Sequence, residues 1–210
     1  MKRILLWAII LVLTSCSSTR FVDSWKNSEV SALQPDKLLV IGMTDNLTAR
    51  KIFEQELKTA LTRRNIKAEE SSIFLDGSFT ESKKSQEEIN AMIAELSADG
   101  FDAVMITAVK GVDENRSYTR GYYTVRYNWQ RFGRYYFRYQ DVYYHPGYYD
   151  DYKVYHVETS LYDIKADENK SLVWVGSFDI VNPRNITSTV DDYVEKIIQQ
   201  LEQEGLIDAL

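Results

Sequence analysis

Cysteine is nearly absent: Cys16 stands alone in 210 residues, so no intramolecular disulfide can form and no thiolate cluster can hold a metal. Histidine is almost as scarce. A zinc site would have to rest on His145 and His156 plus carboxylates, and His145-Pro-Gly147 reads more simply as a turn. Of the nine glycines, Gly42, Gly100, Gly111 and Gly121 build no phosphate loop. The apolar run Ile4 to Leu13 is about half of the roughly 20 residues that a membrane-spanning helix needs. The formal charge of -6 disfavours nucleic acid as a partner.

What is present begins with an address. Lys2 and Arg3, the short apolar run and then Leu13-Thr14-Ser15-Cys16 form the pattern of a bacterial lipoprotein signal, in which Cys16 becomes acylated (palmitate and related chains) and amino-terminal. Multiple acylation would hold the chain at a membrane almost permanently. Ser at position 17 rather than Asp implies passage to the outer membrane, and the lack of acidic residues from Ser17 to Phe21 favours the periplasmic face. Residues 1–15 are therefore read as a signal peptide, residues 16–36 as the acylated cysteine with a short polar tether, and residues 37–210 as one domain. No cofactor is expected other than the covalent lipid on Cys16.

Along the domain, Lys37 to Met43 is a continuous apolar run that suits a buried strand, closed by the helix-capping residues Thr44-Asp45-Asn46. Ala49, Ile52, Phe53, Leu57, Ala60 and Leu61 then recur at helical steps, with Arg50, Lys51, Glu54, Gln55 and Lys58 on the other side, until Asn65. Ile66 to Glu70 reads as a second strand. Ser85 and Glu88 make a capping box before the stripe Ile89, Met92, Ile93 and Leu96, and Phe101 to Val109 reads as a third strand. A hairpin follows from Tyr155 to Leu161 and from Ser171 to Val181, and a last amphipathic helix, begun by Ser188 or Thr189, carries Val190 to Leu201. The expected fold class is α/β (α+β): a mixed sheet in two or three layers with about three helices, starting with parallel strands joined by right-handed crossovers.

One segment departs from this plan. Residues 116–156 hold 13 of the 15 tyrosines, and seven basic residues there face three aspartates, giving +4 in an otherwise acidic chain. Tyr123, Val125, Tyr127 and Trp129 alternate with Arg126 and its neighbours, Gly133 allows a turn near Arg131, and Tyr135, Phe137 and Tyr139 alternate with Arg134 and Arg138. The period predicts a long aromatic hairpin inserted at about 116–153. Tyrosine and arginine are the residue types that dominate binding hot spots. Tyr123, Arg126, Tyr127, Trp129, Arg131, Arg134, Tyr135, Phe137, Arg138 and Tyr139 are thus the candidate binding surface, for a partner protein, cell-wall glycan or lipid head groups. The alternative is that these rings cover one another and the sheet, extending the core of a small domain without binding anything.

Phe21 to Trp25, Leu38-Leu-Val-Ile-Gly42, Phe53-Glu54, Asp102-Ala-Val104, the Tyr-rich stretch and Leu161-Tyr-Asp163 before Val173-Trp174 together resemble an uncharacterised family of bacterial lipoproteins, carried as a domain of unknown function. More distantly the element order is similar to the TolB amino-terminal domain and to the curli-secretion and penicillin-binding-protein-activator lipoproteins. The resemblance implies a periplasmic protein-binding module with no catalytic residues to carry over.

Catalytic patterns are weak beside it. His156, Glu158 and Ser160 share one strand face, where side chains project in parallel rather than converge. Glu69-Glu70 and Asp191-Asp192 are adjacent pairs that suit capping or solvation better than acid and base roles. The reading is a non-enzymatic, outer-membrane-anchored, periplasm-facing lipoprotein acting as a protein-binding or scaffold module of the cell envelope. Two other classes stay open: a glycan-binding module with weak hydrolase activity, and a self-associating structural envelope protein.

Overall fold

The computed structural model describes residues 17–30, 34–75, 83–114, 153–166, 171–183 and 185–210. Cys16 and the candidate surface from Tyr123 to Tyr139 lie outside these residues. Among the described residues, six strands and four helices follow in chain order: β1 (Thr19–Lys26), β2 (Leu38–Met43), α1 (Leu47–Thr62), β3 (Ala68–Glu70), α2 (Ser71–Phe74), α3 (Gln86–Ala98), β4 (Ala103–Glu114), β5 (Lys153–Asp163), β6 (Leu172–Val181) and α4 (Ile186–Gln203). They build one mixed sheet in the order β1-β6-β5-β4-β2-β3.

Every residue of β2 is buried, as a strand covered on both faces must be. Leu38 and Val40 pack with α1 and α4, through Phe53, Leu57, Val194, Ile197 and Leu201. Leu39, Ile41 and Met43 point to the opposite face, where α3 supplies Ile89 and Leu96. The molecule is therefore three-layered. Local signals read in the sequence operate as expected: Asn46 accepts from the Ala49 amide at 3.0 Å, the capping box joins Ser85 and Glu88, and Asn65 turns the chain at φ 63°. The last helix starts earlier than Ser188, because the Asn185 side chain takes the Ser188 amide at 3.2 Å. The one-turn α2 adds a fourth helix.

The larger difference is at the start. Residues read as a polar tether enter the sheet as its edge strand, antiparallel to β6 from Thr19↔Ile180 to Lys26↔Trp174. A bulge at Val22 explains why they lack a strand-like alternation: Phe21 faces Phe178 on the α1/α4 side, while Trp25 packs on the α3 side, although four residues should keep both on one face.

Strand directions gather several termini at one end of the sheet. β4 ends there, β5 begins there opposite it (Glu114↔Lys153), β6 ends there (Val154↔Val181), and β1 begins there. α1 and α4 also start from this end, since each follows the carboxyl end of a strand that points to it.

Gly176 shows how tightly the α1/α4 face is filled. A Cβ added there would come within 2.6 Å of Trp174 Cζ2, closer still to Cη2, and 2.9 Å from Phe178 Cε2. The bulge at Val173, where Leu161↔Trp174 gives way to Tyr162↔Leu172, puts Trp174 on this face and its fully buried ring across Gly176. Overpacking a filled core costs about 1–3 kcal/mol. Gly176→Ala should fall at the upper end of that range in denaturant unfolding, and an unchanged midpoint would mean that the Trp174 ring is not held there.

Candidate functional site

Where β4 and β5 lead into the insertion, charged side chains collect on the α3 side of the sheet. The Arg20, Asp179 and His156 positions are direct cross-strand neighbours on β1, β6 and β5. The Arg20 guanidinium reaches Asp179 Oδ2 at 2.9 Å. His156 lies between two carboxylates, with Nδ1 2.7 Å from Asp179 Oδ1 and Nε2 3.1 Å from Asp113 Oδ2. A carboxylate can only accept, so both bonds form together only when both ring nitrogens carry hydrogen. A second bulge, between Val109 and Gly111, brings Lys110 Nζ to 2.6 Å from Oε2 of the buried Glu158. Three basic and three acidic groups thus interlock at the root of the insertion, an arrangement that holds strand ends together and presents a charged face beside them.

The same geometry separates the residues of the weak catalytic pattern. Glu158 is engaged by Lys110 and His156 by the two aspartates, while Ser160 is fully buried. Among the described residues, no group of three or more His, Cys, Asp or Glu side chains is placed to hold a metal ion. Of the acidic pairs, Glu69 takes Lys58 at 2.7 Å, and Asp192 accepts from the Ser18 amide at 2.8 Å and its hydroxyl at 3.2 Å. An open groove of about 480 Å³ also runs between α1 and α4, with Arg63, Glu195 and Glu202 among its lining residues.

Sequence reading missed a polar centre on the other face. Arg50 and Glu54 were expected on the solvent side of α1, yet both are buried. Glu54 Oε1 accepts from the Gly42 amide at 3.0 Å, Arg50 Nε at 2.9 Å and Ser71 Oγ at 2.6 Å, and Oε2 accepts from the Ser72 amide at 3.3 Å. Arg50 also donates to Ser71 Oγ at 2.6 Å. This carboxylate therefore joins β2, α1 and α2. The available signal was the pairing of Arg50 and Glu54 at i,i+4 opposite a glycine in a buried strand, where α1 approaches to 3.2–3.4 Å of a Cβ placed on Gly42.

A third buried set, Thr107, Thr159 and Tyr193, links β4, β5 and α4. Oγ1 of Thr159 lies 2.6 Å from both Thr107 Oγ1 and Tyr193 Oη. Burial pushes the Tyr193 phenol well above its usual pKa, more strongly than the two threonine hydroxyls hold it down, and the charge of Glu158 adds to the rise.

No protein-family model matches the chain, and no curated protein sequence does. Several solved structures are similar to it in chain trace, among them the following three. A single-substitution variant of the PelC dodecamer from Paraburkholderia phytofirmans is 13% identical and covers 87% of this chain and 97% of that one, with TM-score 0.42. The PelC dodecamer itself is 12% identical over 90% and 98%, with TM-score 0.40. Lipoprotein GNA1162 from Neisseria meningitidis is 14% identical over 80% and 99%, with TM-score 0.41. Likeness at this level does not extend to activity or assembly state.

Two outcomes test the buried groups. Glu54→Ala leaves the Arg50 guanidinium buried without its carboxylate and should cost roughly 3–5 kcal/mol, whereas the joint Arg50→Met/Glu54→Leu replacement should cost much less; equal losses in denaturant unfolding would refute a structural ion pair. Because the folded state disfavours the Tyr193 phenolate, its stabilising contribution is complete below about pH 10, where an unfolded tyrosine begins to ionise, and declines as pH rises beyond that. Tyr193→Phe should flatten the alkaline fall in stability measured between neutral and strongly basic pH.

Proposed function

We propose that this chain is a lipid-anchored envelope protein, held at the outer membrane through Cys16 with its domain in the periplasm, that binds a partner protein non-enzymatically through its Tyr/Arg-rich insertion. The observation that supports this most is the way the fold reaches almost to Cys16. The Val181 amide bonds the Ser18 carbonyl at 2.8 Å and Asp192 takes the Ser18 amide, so the sheet and α4 hold the chain two residues from the cysteine. A chain that retained residues 1–15 as part of its fold would have no reason to confine its single thiol to this junction.

The insertion is rooted in a paired strand end, and its composition supplies what a recognition surface needs: stiff aromatic area with polar tips, and planar donors that pair with carboxylates. The interlocked cluster of Arg20, Asp113, His156 and Asp179 stiffens the root. Charge favours a partner with an acidic face, because the segment is basic while the rest of the chain repels such a partner.

Two experiments address the two halves of this reading. Intact mass of the membrane-extracted protein should correspond to a chain that begins at Cys16 and carries acyl groups, and Cys16→Ala should accumulate as a precursor that keeps residues 1–15. Glu114 and Lys153 are cross-strand partners, so deleting residues 118–152 leaves a three-residue loop that can close the hairpin. That variant should melt near the parent temperature and lose the discrete adduct formed in cells by a photo-crosslinking residue at Tyr127 or Trp129 of the parent. A parent with no adduct, or a deletion that unfolds the domain, would put the rings in the core instead.

A further inference from the structure

We infer that the domain rests against the lipid surface through one defined end of its sheet, the end at which β1 begins; the inference depends on the proposed acylation of Cys16. The reach of the chain is the first ground. Ser17 and Ser18 are already tied down, by the Ser18 carbonyl to Val181, by the Ser18 amide to Asp192 and by Ser17 Oγ to the Thr19 carbonyl at 3.0 Å. Two residues extended span about 7 Å, so a lipid on Cys16 cannot let the domain drift far from the head groups or turn another end toward them.

The second ground is what that end exposes. Seven large apolar side chains are exposed among the described residues, and three of them lie toward this end: Leu47, 68% exposed, at the first residue of α1; Ile186, 41%, at the first residue of α4; and Val112, 43%, near the end of β4. The row Val112↔Tyr155↔Ile180↔Thr19 sets Val112 level with the start of β1. α1 and α4 begin beyond the ends of β2 and β6 that point the same way. A first-turn position of a helix needs no apolar residue for packing, and both are apolar where a water-facing end would carry polar groups.

Apolar side chains of this kind enter an interface to about 5–10 Å, and each adds to the hold of an acyl chain. The occupant of this face is thus the phospholipid surface that holds the anchor.

The test uses the full, membrane-extracted chain. Acylation consumes the only native thiol, so Leu47→Cys, Ile186→Cys and Ala98→Cys each offer one site for a bimane label, the last at the opposite end, where α3 stops. In vesicles of phosphatidylethanolamine and phosphatidylglycerol doped with brominated lipid, bimane at 47 and 186 should be quenched at least about twofold more than at 98. Equal quenching at all three sites, with the parent chain refusing the label, overturns the orientation and leaves the lipoprotein reading standing. A parent chain that takes up bimane at Cys16 overturns both.

Discussion

Burial of β2 and of β4 from Ala103 to Ala108 on both faces is the constraint from which the architecture follows. A strand covered above and below needs helices on each side, and parallel neighbours joined by right-handed crossovers place those helices antiparallel to the strands. α1 therefore covers one face and α3 the other. α4 returns from β6 to complete the first layer, and its Tyr193 hydroxyl meets Thr159 at the sheet. Once these directions are set, the helix starts, the beginning of β1 and the root of the insertion must fall at one end.

Three bulges then adjust which side chains face which layer. The one at Val22 sends Phe21 and Trp25 to opposite faces. Val173 delivers Trp174 to the α1/α4 core over Gly176, and the shift between Val109 and Gly111 brings Lys110 to Glu158. An extra residue bends a strand and reverses its facing from that point. All three lie on strands that carry the charged cluster of Arg20, Asp113, His156 and Asp179, so that cluster is a product of register as much as of residue type.

Charge inside the molecule is handled by local saturation. Glu54 is accommodated because four donors converge on it, two of them backbone amides from β2 and α2, which offsets the desolvation of a buried carboxylate. Glu158 and Asp179 are treated likewise on the other face. Each network joins elements distant in sequence, and each stiffens a junction that hydrophobic packing alone would leave free to slide.

Period and capping, which are local, were readable in the chain itself: the apolar run of β2, the 3.6-residue stripes of the helices, the Ser85/Glu88 box, the β5–β6 hairpin and the order of all these elements. The candidate surface around Tyr127 and Trp129 and the anchor at Cys16 are likewise sequence readings. Tertiary structure alone decided that Thr19–Lys26 is a strand, that Arg50 and Glu54 are interior, and that the start of β1 and the pair Glu114↔Lys153 share one end of the sheet. Each of these depends on partners far along the chain: β6 lies about 150 residues from β1, and Ser71 reaches Glu54 only after a full crossover. Polar residues on an edge strand look like a tether, and a buried ion pair looks like a solvated one, until the neighbour that completes the hydrogen bonds is in place.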